Sequence, residues 1–144
     1  AHYLPMENSL PKIYYEPNKL LSIKGLVELS SISLSYDRDE VIRKVQAVIK
    51  ESGIPFKQLI SSNQSNPIVI QGLPVIQANN LYEFSDCIFS CSQFLSLSSG
   101  AHSLAAAIRR KADFKQICLL PKEKAGAFLA SKLFIYPDVE YIAV

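Results

Sequence analysis

The stretch Phe94-Leu95-Ser96-Leu97-Ser98-Ser99-Gly100-Ala101-His102-Ser103-Leu104-Ala105-Ala106-Ala107-Ile108 decides how this chain folds. Residues 93–97 form a short apolar run of strand length. Ala101, Leu104, Ala105 and Ile108 then recur at helical spacing, which predicts a helix over 101–111. Its last turn carries Arg109, Arg110 and Lys111, suited to the negative end of the helix dipole. A strand that passes through Ser-Ser-Gly directly into a helix is one half of a β-α-β unit. Backbone N–H groups at a helix start lack intrahelical partners, and that end is partly positive. Gly100 lets a phosphate approach the backbone closely, and Ser98, Ser99 and Ser103 offer hydroxyl donors. The same residues also read as a plain N-cap at Ser99 with a turn at Gly100.

Outward from this turn the pattern repeats. Residues 26–34 predict a buried strand, with Leu26, Val27, Leu29, Ile32 and Leu34 interleaved with serines. A helix over 38–51 follows, with Asp37 as N-cap and Glu40 completing a capping-box pattern. Val41, Ile42, Val45, Val48 and Ile49 mark its apolar face, and Gly53 and Pro55 end it. Short apolar runs at 56–60 and 67–70 flank a polar turn at 61–66. Asn79-Asn80 starts a helix over 81–91, with Leu81, Phe84, Ile88 and Cys91 on its apolar side. A strand at 116–120, a helix at 122–133 and an extended piece at 139–144 complete the chain. Residues 1–20, with Pro5, Pro11 and Pro17, read as an extended N-terminal arm. Residues 21–144 read as a single α/β domain: a mostly parallel sheet with helices on both faces. Such sheets take ligands beyond the carboxyl ends of their strands.

Apolar residues make up 49% of the 144 and charged residues 19%, which excludes a disordered chain. The net charge of +2, spread along the sequence, argues against a nucleic-acid binder. No apolar run approaches the roughly 18 residues a membrane span needs. Three cysteines, Cys87, Cys91 and Cys118, are too few and uneven for a disulfide framework, so a reducing, cytoplasmic setting is expected. Cys87 and Cys91, four apart, have no neighbours to complete a metal set and read as core residues. The start at Ala1 rather than Met fits a processed chain or a piece of a longer protein. No Ser-His-Asp set, P-loop, zinc motif or paired catalytic carboxylates can be assembled.

Asn79-Asn80-Leu81-Tyr82-Glu83-Phe84, a helix, the strand at 93–97, then Ser-Ser-Gly and Leu104-Ala105-Ala106-Ala107 resemble the donor-binding half of GT-B glycosyltransferases, in particular the heptosyltransferase-like group. The resemblance covers the element order from residue 26 to 142, and recognisable motif from 79 to 108. It implies a Rossmann-like domain, one half of a GT-B architecture, that binds a nucleotide-sugar donor and needs no cofactor or metal. The catalytic base would come from an N-terminal acceptor-binding domain or subunit, leaving the isolated chain with little transfer activity. It assigns the donor to Ser98, Ser99, Gly100, Ala101, His102 and Ser103, with Glu83 accepting ribose hydroxyls and Ser31 at a strand end facing the donor. Two departures stand out: Ser98 occupies the family's Asp position and Ser103 its His position. His102, one residue earlier, reads either as a ligand contact or as a surface histidine. Ser30 to Ser35 read equally as the polar face of a strand, and Glu83 as a charge favoured at a helix start. The departures also fit a non-catalytic interaction module that keeps the fold, and the strand–helix alternation alone permits a flavodoxin-like domain.

Overall fold

In the computed structural model, which describes residues 15–31, 35–131 and 135–144, strands and helices alternate along the chain. The order is β1 (Gly25–Glu28), α1 (Arg38–Ser52), β2 (Phe56–Ser61), β3 (Val75–Ala78), α2 (Leu81–Ser90), β4 (Gln93–Leu97), α3 (Gly100–Ile108), β5 (Lys115–Leu120), α4 (Lys122–Ser131) and β6 (Val139–Ala143). The strands form one sheet in the order β3-β2-β1-β4-β5-β6, and every pair is parallel. This is a Rossmann-like α/β fold.

Alternation within each strand feeds two cores. Leu26, Leu59 and Phe94 face α2 and α3, where they meet Cys87, Ile88, Ala105 and Ile108. Val27, Phe56, Leu95, Ile117 and Leu119 face the other way and meet Val41 and Val45 of α1. Cys118 and Leu120 pack on Ala125 of α4 in a third cluster. Helices therefore cover both faces, as the sequence predicts. α1 is fixed by local chemistry: Asp37 accepts from the N–H groups of Asp39 and Glu40, and Gly53 closes the helix at φ 70°. Glu40 does not complete a capping box. Its carboxylate pairs with Arg43 instead.

Several boundaries differ from the sequence reading, each for a physical reason. The first strand ends at Glu28, not 34: beyond it the Ser30 N–H donates to Glu28 Oε1 at 3.2 Å rather than to a neighbouring strand. Ile32 and Leu34 lie outside the described residues. The apolar run 67–70 is a loop whose Ile68 and Ile70 drop into the α1-side core. Buried Gln58 holds it, donating to Ile68 O at 2.6 Å and accepting from Ile70 N at 2.9 Å. The strand after β2 is instead Val75–Ala78, at the sheet edge. Leu81 does not face the core but is 65% exposed. α3 ends at Ile108, and Arg109 reaches across to Gln116 Oε1 at 2.9 Å and to Pro137 O rather than to its own helix end.

Of the proline-containing arm, residues 1–14 lie outside the described residues, but its end docks on the domain. Tyr15 is buried and its hydroxyl donates to the carboxylate of Asp86. Asn18 and Lys19 donate their N–H groups to the same carboxylate at 3.1 Å each. Lys111 Nζ donates to Tyr15 O at 2.6 Å. Asp86→Ala strips three donors of one acceptor, so a loss of about 2–3 kcal/mol is expected in urea titrations. A change below about 0.5 kcal/mol, the usual scatter of surface substitutions, would show that Asp86 does not hold the arm.

Candidate functional site

The order of the strands creates the site. From β1 the chain crosses over α1 to β2 on one side. From β3 it returns over α2 to β4 on the other side of β1. Connections thus leave β1 and β4 in opposite directions, and a crevice opens beyond their carboxyl ends. Two adjoining hollows occupy it. The larger, about 710 Å³, lies among the end of β1, the β2–β3 loop and the start of α1. The smaller, about 450 Å³, lies between the end of β2 and the starts of α2 and α3. Ser61, Asn63 and Phe84 border both.

Of the residues singled out from the sequence, Ser31, Gly100 and Ala101 line these hollows and Ser98, Ser99, Ser103, Glu83 and His102 do not. Gly100 and Ala101 line the smaller hollow. Ser99 is the N-cap of α3 in an extended conformation, but its side chain makes no capping bond and its hydroxyl donates to Leu97 O at 3.3 Å. The first N–H groups of α3 are thus left without a side-chain cap. A Cβ added at Gly100 meets nothing within 4 Å, so the space in front of this helix end is open. Ser98 is buried, and its N–H is spent on Tyr36 Oη at 3.0 Å and Leu119 O at 3.2 Å. Ser103 shares a 2.9 Å hydrogen bond with Tyr136 Oη. Ser31 lines the larger hollow, with its hydroxyl buried and lacking a partner among the described residues. Glu83 is exposed; its carboxylate accepts from Asn79 N–H at 3.0 Å while its own N–H donates to the Asn80 side chain at 2.9 Å. That pairing is a helix-capping arrangement.

His102 is not a surface histidine: it is 1% exposed. Its Nε2 lies 2.8 Å from Tyr141 Oη, and its ring packs on Tyr136 and Tyr141 at centroid distances of 5.1 and 5.5 Å. Burial, with a smaller push from Arg109, lowers its pKa to about 4. It is a neutral core side chain at physiological pH, and it lines neither hollow.

Sequence reading missed Glu28. This carboxyl ends β1, is 1% exposed, and lines the larger hollow. Burial raises its pKa to about 7, against the opposing pull of the Ser30 hydrogen bonds. In register it sits between Leu59 of β2 and Ser96 of β4, whose hydroxyl is buried without a partner among the described residues. Gln64 also borders the larger hollow, and its Oε1 is likewise buried and unpaired among the described residues. The only sequence signal was an acidic residue inside an apolar run. Arg38 borders the same hollow and donates to Asn66 O and Pro67 O, fastening the β2–β3 loop to α1.

Among the described residues no group of three or more His, Cys, Asp or Glu side chains is placed to hold a metal ion. Nor is any helix among them long and apolar enough to cross a membrane. No protein-family model, curated protein or solved structure gives a significant match to the chain, so its site is read from its own geometry.

Proposed function

We propose that this domain binds a nucleotide or nucleotide-sugar in the crevice beyond β1 and β4, and that it is the donor-binding half of a glycosyltransferase of GT-B type. The observation that carries the reading is the uncapped start of α3 opening into a hollow at the point where strand order reverses. Backbone N–H groups and the helix dipole favour a phosphate there. The resemblance in residues 79–108 supplies the donor class. Departures at Ser98 and Ser103 favour binding over chemistry: neither serine supplies the acid or base of the position it occupies, and the Ser103 hydroxyl is spent on Tyr136. Transfer then requires a second half that brings the acceptor and a base.

Calorimetric titration with a panel of nucleoside diphosphates and their sugars tests this directly. Binding in the micromolar to millimolar range is expected, with little transfer by the chain alone. No heat with any member of the panel would sink the reading. Gly100→Val fills the open space before α3 without an internal clash, because nothing lies within 4 Å of its Cβ. It is expected to weaken binding at least tenfold while leaving the unfolding midpoint within a few degrees. Unchanged affinity would place the phosphate elsewhere.

A second reading, a non-catalytic interaction module, draws on Leu81 and Tyr82, both 65% exposed at the start of α2. Light scattering of the chain alone and with candidate partners separates the two: the module reading requires a stable complex that survives Gly100→Val.

A further inference from the structure

We infer that the larger hollow is a subsite for a neutral polyhydroxyl group, a sugar ring, with Glu28 as its recognition residue, and that phosphate is held only in the smaller one. The inference deepens the nucleotide-sugar reading and rests on it for the ligand's second part, but its own observations are independent.

The two hollows differ in what they offer. The larger is walled by hydroxyl, amide and apolar side chains around one buried carboxyl, and its one cation among the described residues, Arg38, is already engaged by Asn66 O and Pro67 O. Glu28 is 1% exposed, and a carboxyl taken that far from water is costly unless a partner uses it. One such partner is present: Ser30 N–H at 3.2 Å on Oε1. Beside it, Ser31 Oγ and Gln64 Oε1 border the same space, buried and unsatisfied among the described residues. Natural structures leave few such atoms unpaired, so two of them on residues that line one cavity mark where a polar ligand would be held. Gln64 Oε1 can only accept, a hydroxyl can do either, and a carboxyl accepts when ionised and can donate when protonated. A ligand that satisfies all three must therefore carry hydrogen-bond donors, and the hydroxyls of a sugar, which donate and accept, supply them. Phosphate oxygens mostly accept, and an ionised phosphate placed on Glu28 would meet like charge. Phe84, on the boundary between hollows, offers an apolar surface for the face of a ring.

The smaller hollow has the reverse character. It is lined by the start of α3 at Gly100 and Ala101 and by neutral residues, and no carboxylate borders it among the described residues. On this assignment a ligand with phosphate at one end and a sugar at the other lies across the shared edge at Ser61 and Asn63, phosphate toward α3 and sugar toward Glu28.

The test uses the wild-type chain, isotopically labelled for NMR, with simple probes. Free hexoses and ribose, added at millimolar concentration, are expected to shift the signals of Glu28, Ser31 and Gln64. Inorganic pyrophosphate is expected to shift Gly100 and Ala101 and leave Glu28 unmoved. Glu28→Gln keeps the side-chain shape but replaces the carboxyl. It is expected to weaken sugar binding roughly tenfold, the scale of a hydrogen bond to a charged group, without changing pyrophosphate affinity. Pyrophosphate shifts centred on Glu28, equal loss of both probes in Glu28→Gln, or no sugar response at Glu28 would each overturn the assignment. Failure of the nucleotide reading looks different: sugars still move Glu28, but no nucleoside diphosphate binds at Gly100.

Discussion

Glu28→Gln is expected to stabilise the protein at pH 8 by about 3 kcal/mol and to leave its stability at pH 4.5 nearly unchanged. The wild-type carboxyl has a pKa of about 7 in the fold against 4.5 as a free group. Below 4.5 it is protonated whether folded or unfolded, and the fold bears no charge there. Between 4.5 and 7 the unfolded chain releases a proton that the folded chain keeps, so stability falls as pH rises. Above 7 both forms are ionised and the full cost of a buried carboxylate is present. Glutamine never ionises, and its Oε1 can still accept from Ser30 N–H. Urea unfolding at a series of pH values reads the difference. A variant no more stable than wild type at pH 8 would mean that the carboxylate is well solvated after all. A stability gain on removing a side chain at a cleft is the expected mark of a residue kept for binding rather than for folding.

His102→Phe is expected to remove about 3 kcal/mol of acid sensitivity. The imidazole has a pKa of about 4 when folded and 6.5 when free. Above 6.5 it is neutral in both states. As pH falls from 6.5 to 4 the unfolded chain takes up a proton that the buried ring refuses, so stability falls. Phenylalanine keeps a ring of similar size against Tyr136 and Tyr141 and cannot titrate. Tyr141 Oη retains the N–H of Tyr136 at 2.8 Å as a partner. The two buried groups work in opposite directions, so wild-type stability is expected to be nearly flat from about pH 4.5 to 6.5. In that window each single variant exposes the slope of the other group, and the double variant is flat again. An acid slope that persists in His102→Phe would assign it to another group.

The parts of this fold that could be read in the sequence are those fixed by neighbours in the chain. Asp37 caps α1 through bonds two and three residues away, and Gly53 ends it by a left-handed turn. β4 and the start of α3 follow from one local change of period at Ser98-Ser99-Gly100. β3 escaped because an edge strand of four residues, with Val75 half exposed, carries no alternation strong enough to register. The site was legible in its position but not in its detail. Gly100 lines the smaller hollow with open space where a Cβ would stand. Ser98 gives up its N–H to Tyr36, and His102 is buried by Tyr136 and Tyr141 from the last segment of the chain. Glu28 acquires its meaning only when β2 and β4 pair on either side of it. Such facts belong to the topology, and no local window contains them.

The three cysteines, all free and buried, carry a practical consequence. Burial pushes the Cys87 thiol up to about 11, Cys91 to about 12 and Cys118 higher still. Only a thiolate attacks alkylating reagents or disulfides readily, so the native chain holds all three sulfurs chemically silent at neutral pH. That silence lasts as long as the packing does. Each sulfur reports a different seam: Cys87 and Cys91 the contact of α2 with α3, Cys118 the middle of the sheet between β4 and β6. The rate at which a maleimide captures each one is therefore a clock for the opening of that seam.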